Sequence, residues 1–338
     1  MFETGLSIDG FTPASDIADQ ARAAEAGGAD TIWIATHLFL RDPATLAATA
    51  LAATKTLKIA LMAMSPYAMH PVHAAMAAAT LDELFPGRVI LSLGAGAPAD
   101  IAAAGIDRSK PLATLREAIG ICRALFSGEP ADHRGDIFQV TERRLVNAPC
   151  EIPIVLAASG PKMLELAGSH ADGVIISGAT SAPFVRWCLD HVDRGADGRE
   201  IKTYGIVYTR IDDNQGAAID PVRRTLGFIL RGAHHAMNVD LGGAMLDQAA
   251  LREAYAVEDW DRVEALVTDD VAAPHSACGD VAYVRARLAD YHAAGLDQII
   301  LNGLETPADI GSTLGAVKLS NRETRDGEGL LGRILPGD

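Results

Sequence analysis

Short apolar runs alternate with longer helical patterns almost from one end of this chain to the other, and that alternation restricts the fold more than any other feature. Strands are predicted at Thr4–Ile8, Thr31–Ala35, Lys58–Met64, Val89–Leu93, Ile154–Ala157, Gly173–Ser177, Tyr204–Arg210 and Gln298–Leu301. Most are continuously apolar, as strands covered on both faces are. Helix punctuation fills the gaps. Ser15 is the expected cap of a first helix that Gly27-Gly28 stops, Asp42 or Thr45 starts a second beside Pro43, and a third runs from Pro71 to the Phe85-Pro86-Gly87 stop. Eight strands with helices between them is the count of a closed parallel barrel, so the predicted class is α/β, a (β/α)8 TIM barrel. A chain of 338 residues that is 49% hydrophobic can bury a core of that size.

Two segments exceed the repeating unit. Arg134–Val146, with short alternating runs, reads as a β-hairpin excursion. The stretch after the seventh strand, with helical patterns at Pro221–Ala236 and Asp247–Val267, is far longer than one crossover needs and reads as an inserted helical cap over about 211–274. Helices Asp280–Ala294 and Pro307–Leu319 close a single domain expected over 1–319. Residues 320–338, rich in Gly and charge, read as a surface tail.

Charge narrows the partners. With 29 Lys and Arg against 44 Asp and Glu, the formal charge is −15, which disfavours nucleic acid and anionic membrane and favours a small-molecule substrate. Cys122, Cys150, Cys188 and Cys278 form no CxxC pair, so neither a zinc site nor a disulfide framework is expected. The start of the chain lacks a basic-then-apolar signal, and the apolar stretch Ala44–Ala63 is broken by Thr and Lys. A cytoplasmic protein with reduced thiols fits these features.

In such a barrel, function sits where strands end. Those positions include Ser7 and Asp9, Thr36-His37, Met64-Ser65, Ala95-Gly96, Ala158-Ser159 and Ser177-Gly178. His37 is the one imidazole among them, suited to acid–base work near neutral pH, although a polar residue that satisfies a loop would also stand there. His70 and His73 lie at a helix start, where capping or packing accounts for them. Adjacent His234 and His235 face different sides of a helix, so no metal site is assigned. The strand ends carry no Lys, which weakens Schiff-base chemistry. Two turns that close a strand and open a helix, Gly94-Ala95-Gly96 and Ser159-Gly160-Pro161-Lys162-Met163, offer backbone N–H groups to an anion. Together they predict a phosphate-bearing ligand held at two points.

Further motifs carry a resemblance. His70-Pro71 with Ala75 to Leu84 and Gly87 to Gly96 resembles the bacterial-luciferase-like superfamily, and Gly160 to Gly168 with Ala171 to Val174 is similar to its deazaflavin (F420)-dependent branch, which includes methylenetetrahydromethanopterin reductase. The similarity extends through Ala277 to Leu288 and Gly295 to Ile300. It implies F420, or alternatively FMN, at the C-terminal rim with its ring in the barrel mouth. His37 matches a histidine that contacts the ring and is a proposed proton donor, and Thr36 stands where the family usually has Asp. Ala63-Met64-Ser65 matches a bulge that backs the ring, often through a non-prolyl cis peptide. Ala95, Gly96 and Ala158 to Met163, hence Ser159, Gly160, Pro161 and Lys162, match the turns around the cofactor's phosphate chain. Ser7 occupies the place of a catalytic Glu in the pterin reductases, which argues against a pterin. Ala97-Pro98, with Asp100 beyond, replaces the acidic residue of the sugar-phosphate dehydrogenases. Ser7 and Thr36 are then expected in the substrate pocket.

The implied function is hydride transfer from reduced F420 to a small organic substrate, with His37 supplying or relaying a proton. An FMN-dependent monooxygenase is the alternative, and a non-catalytic flavin-binding barrel is the alternative from another class. Specificity is expected in the insertion and in the Pro98–Lys110 loop. The resemblance also implies a homodimer through barrel helices, for which Ala44–Ala53 is a candidate face, although packing on its own barrel would explain that helix equally.

Overall fold

The computed structural model describes residues 2–318. The end of the predicted closing helix at Leu319 and the predicted tail 320–338 lie outside the described residues. Eleven strands occur in chain order: β1 Glu3–Ile8, β2 Thr31–Ala35, β3 Lys58–Met64, β4 Val89–Leu93, β5 Ala131–Arg134, β6 Gln139–Arg143, β7 Ile154–Ala157, β8 Gly173–Ile176, β9 Lys202–Ile211, β10 Ala277–Gly279 and β11 Gln298–Asn302. Eight of them, β1, β2, β3, β4, β7, β8, β9 and β11, pair in parallel in that order, and β11 returns to β1. The barrel is closed. β5 and β6 form the antiparallel hairpin, somewhat earlier in the chain than its sequence signal, and β10 adds in parallel to the far end of β9.

Alternation along each strand divides the core in two. Leu6, Ile8, Ile32, Ile34, Leu91 and Leu93 face the surrounding helices, while Trp33, Ala60, Met62, Ile90, Val155, Ile175, Tyr204 and Ile300 fill the interior. Trp33 Nε1 donates to Gln298 Oε1 at 2.8 Å, and its ring meets Tyr204 edge-on at 4.7 Å. The lower interior is therefore packed solid with large side chains.

The base of the barrel repeats one device three times. Asp30, Asp172 and Asp297 each precede a strand, and each accepts a 2.8 Å hydrogen bond from the amide near the start of the neighbouring strand, Thr4, Ile154 and Thr203 respectively. Each aspartate amide donates back to that same residue's carbonyl. Beside them, Glu25 Oε1 accepts from the amides of Lys55, Thr56 and Leu57 at 2.8 to 3.1 Å. Arg88 donates to the carbonyls of Leu51, Thr54 and Leu57 and to Thr54 Oγ1. Loop and helix-end groups that would otherwise be orphaned are satisfied by charged side chains.

Between β9 and β10 the chain builds helices Gln215–Leu230, Ala236–Leu241, Gln248–Ala256, Trp260–Leu266 and Asp269–His275, which enclose a hydrophobic cluster including Leu226, Leu230, Leu251 and Val263. Asn238 joins this block to the barrel: its side chain donates to Ala179 O at 2.7 Å and accepts from Ser181 N at 2.9 Å. Here several helix boundaries differ from expectation. Pro221 lies inside a helix that Asn214 caps at Ala217 N, because the cap outweighs the single backbone bond that a proline forfeits. Asp247–Val267 divides into two helices at Val257–Asp259, where Glu258 has φ +55°. Ser15 also fails to cap the first helix, Ile17–Ala26; its hydroxyl binds Asp16 Oδ1 instead. By contrast, Asp42 caps helix Pro43–Ala53 and His70 caps helix Pro71–Leu84. No helix among the described residues is long and apolar enough to cross a membrane.

Candidate active site

The upper interior of the barrel differs from the lower. Above Trp33, Met62 and Ile90, the inward positions nearest the mouth are Ser7, Ala35, Ala63, Ser92 and Ala157, all small. The interior is thereby lined by small side chains at the C-terminal ends of the strands. Its edge is shaped by the register shift between β3 and β4, where the Met62–Ala63 peptide is cis. Thr36 N donates to Met62 O and Gly94 N to Met64 O, which ties the ends of β2 and β4 to this bulge. Gly94 must be glycine for that approach, since a Cβ would stand 2.9 Å from Ala63 Cβ and 3.2 Å from Ala157 Cβ. Gly96, at φ +75°, turns the chain beneath Ser65 Oγ, which a Cβ would meet at 3.0 Å.

The predicted residues Ala63, Met64, Ser65, Ala95, Gly96 and Ala158 therefore gather on one rim. Ala158 through Met163 follow β7 and open helix Pro161–His170. Among the described residues, the amides of Ala95, Gly96, Ser159, Gly160 and Lys162 have no protein acceptor, whereas Met163 N and Leu164 N donate to Gly160 O. A Cβ at Gly160 would meet nothing within 4 Å, so this turn faces open space. Free amides at a helix N-terminus beside open space suit a phosphate group.

His37 follows β2 and is half-exposed. Its Nδ1 stands 3.5 Å from Asp100 Oδ2, a loose ion-pair distance rather than a tight hydrogen bond. Asp100 comes from the short helix Pro98–Ala103 after β4, a segment expected to be loop. The chain thus has Thr36 where an aspartate was anticipated and brings a carboxylate to the imidazole from a different βα turn. Thr36 Oγ1 and Ser92 Oγ are both buried without a hydrogen-bond partner. Thr4 Oγ1 at the base and His235 Nδ1 and His275 Nε2 in the insertion share that state, so the feature that fits a phosphate-bearing ligand at this rim is the set of free amides in the two glycine turns.

Sequence reasoning missed Asp100 as a partner and Ser92 as a lining group. Ser92 could have been found as the one polar inward position of Val89–Leu93. Two exposed aromatics were also missed: Phe11 and Phe39, each 73% exposed, flank the mouth from the loops after β1 and β2. Phe39 holds φ +67°, a conformation bulky residues rarely adopt. Ser7 is buried, and besides facing the interior it lines a cleft of about 450 Å³ with Asp9, Phe11 and Asn302, between the ends of β1 and β11. His234 and His235 lie in a 3-10 turn of the insertion with ring centroids 4.3 Å apart, not on different sides of a helix as expected, and His234 is near enough to Arg108 of the loop after β4 to feel its charge; burial and the neighbouring His234 and His275 hold the His235 imidazole down at about 4. It is a neutral packing group.

Comparison with known proteins agrees with this fold. The 5,10-methylenetetrahydromethanopterin reductase of Archaeoglobus fulgidus is 30% identical over 290 residues, covering 82% of this chain and 86% of the relative. An F420-dependent glucose-6-phosphate dehydrogenase of Amycolatopsis mediterranei is 27% identical over 88% of this chain and 90% of its own length. The solved coenzyme F420-dependent tetrahydromethanopterin reductase of Methanopyrus kandleri superposes with a TM-score of 0.85 at 23% identity, covering 94% of this chain and 97% of that one. The family model described as luciferase-like monooxygenase matches residues 3–298, nearly the whole described barrel, and the chain belongs to that family.

Proposed function

We propose that this protein is an F420-dependent oxidoreductase that transfers hydride to or from a small organic substrate. The observation that carries the reading is the meeting of two amide-rich turns and the β3 bulge on one rim, above a mouth lined by small residues, with His37 as the imidazole there. Relatives named for F420 dependence support this cofactor. When bound, the deazaflavin supplies two-electron hydride chemistry that no side chain can.

The chain's own residues have three tasks. The amides of Ser159, Gly160 and Lys162, with those of Ala95 and Gly96, hold the phosphate chain. Ala63, Met64 and Ser65 back the ring. His37 moves the proton: its Nδ1 faces Asp100, which orients the ring and leaves Nε2 as the exchanging nitrogen. Phe11 and Phe39 keep water from one side of the mouth and select an apolar or conjugated substrate, and Ser7 offers no carboxylate to a pterin.

Titration of recombinant protein with F420 and with FMN, followed by fluorescence, tests the cofactor. Saturable F420 binding with weak FMN binding is expected; tight FMN binding with indifference to F420 would replace this reading by the monooxygenase one. We further propose a cytoplasmic homodimer. Four free thiols and the family resemblance support this, although Leu46, Ala47, Ala50 and Leu51 of the proposed dimer helix are buried against their own barrel. Sedimentation showing a monomer at micromolar concentration would remove the dimer.

A further inference from the structure

A cleft of about 390 Å³ runs down the outer face of helix Pro161–His170, beginning at Lys162 within the second glycine turn. Lys162 marks its upper end and Ser169 its lower, so it follows the helix for about 10 Å. Leu112 and Leu166 give it an apolar lining. Arg116, from helix Pro111–Phe126, and Arg194, from helix Ala182–Ala196, complete it.

The charge arrangement is unusual for a chain with a net charge of −15. Among the described residues, none of Arg116, Lys162 and Arg194 forms an ion pair; Arg194 Nε only donates to Asp190 O on its own helix. The one carboxylate lining the cleft, Glu165, makes a loose contact with Oε1 3.4 Å from His191 Nδ1, so the lining carries three cations against one carboxylate. His170, at the end of the same helix, registers the surrounding field: burial lowers its pKa most, and the positive charges of Arg116, Arg199 and Arg123 lower it further. Three unpaired cations lining one groove repel one another, and a ligand with several spaced negative charges relieves that repulsion. A single phosphate is too compact to reach all three. Guanidinium groups, moreover, match carboxylates in a planar, two-point geometry.

We propose that this cleft holds a run of carboxylates continuous with the phosphate-bearing tail anchored at Ser159–Met163. The inference rests on the F420 reading, since coenzyme F420 carries glutamates beyond its phosphate whereas FMN ends at its phosphate. The groove then adds affinity and discriminates between the two cofactors at a distance from the ring.

The test is equilibrium binding to the intact protein with three probes: the deazaflavin chromophore without its tail, F420 with one glutamate, and F420 with a long oligoglutamate tail. At low salt the long-tailed form is expected to bind about fivefold more tightly than the one-glutamate form, as a few exposed charge pairs would provide. The advantage should fall as salt rises. Combined Arg116→Glu and Arg194→Glu should abolish it while leaving the tail-less chromophore unchanged, and Arg116→Lys with Arg194→Lys should keep part of it. No preference for tail length in the unmodified protein, or a preference that survives charge reversal, overturns the inference. If no deazaflavin binds, the F420 reading fails, and free oligoglutamate then decides the cleft alone. Binding that charge reversal removes would keep it as a polycarboxylate site, and no binding would eliminate it.

Discussion

The two ends of the barrel treat their exposed backbone in opposite ways. At the base, Asp30, Asp172, Asp297, Glu25 and Arg88 occupy the loop amides and carbonyls one by one. At the mouth, the amides of Ala95, Gly96, Ser159, Gly160 and Lys162 are left free. Both ends are loops joining the same strands and helices, so topology does not explain the difference. Charged side chains that satisfy the base stabilise the fold, whereas groups left open at the mouth await a ligand.

The largest effect expected from this contrast is His37→Ala, which should lower turnover by about 100- to 10,000-fold, roughly 3–5 kcal/mol of barrier, with little change in melting temperature or cofactor Kd. Steady-state kinetics beside calorimetry would show it; unchanged turnover removes His37 from the chemistry, and a large loss of melting temperature would erase the distinction between the two ends. Arg88→Met is the mirror experiment at the base. Losing a half-buried cation's hydrogen bonds should cost about 2–3 kcal/mol of stability by denaturant unfolding while kcat stays the same. A fall in kcat without a fall in stability would contradict it.

Asp100→Asn is expected to be milder, about tenfold in kcat, or 1.4 kcal/mol. Without the carboxylate the ring loses the group that orients it, so kcat should fall while cofactor Kd stays the same. If kcat is unchanged, the 3.5 Å approach has no role in proton transfer. The smallest effect is expected at Glu25. Burial alone would raise its pKa, but the amides of Thr56, Lys55 and Leu57 outweigh that and hold it at about 2, below its ordinary 4.5. Its stabilisation is therefore complete above about pH 4.5 and lost as pH falls toward 2. Allowing for solvent screening, Glu25→Gln should cost about 1 kcal/mol at neutral pH and flatten the acid limb of stability. Parallel acid limbs for the two proteins would argue against the clamp.

What sequence reading could and could not reach follows from range. Buried strands such as Thr31–Ala35 and Val89–Leu93 were legible because continuous β-branched and apolar runs between punctuating residues encode them locally. Gly94 and Gly96 were legible as a turn. The reason Gly94 must lack a side chain was not, because the atoms that crowd it come from Ala63 and Ala157. His37 was visible as an imidazole at a strand end, but its neighbour Asp100 belongs to another turn and looked like a loop residue. In the insertion, Pro221 resembled a helix start because nothing local reveals that Asn214 has already begun one. At the base, a pattern was present and went unread: Gly28-Ala29-Asp30, His170-Ala171-Asp172 and Gly295-Leu296-Asp297 each place an aspartate just ahead of a strand.

Those three aspartates also set the order in which the barrel can loosen. Each closes a reciprocal pair of bonds between strands whose partner residues are 26, 18 or 94 positions apart, so no local unfolding event releases one without separating two strands. Solvent deuterium should therefore reach the amides of Thr4, Ile154 and Thr203 last and those of Gly96 and Gly160 first, a gradient along the barrel axis. The protein is a cup that can flex at its lip to admit a ligand while its floor stays shut.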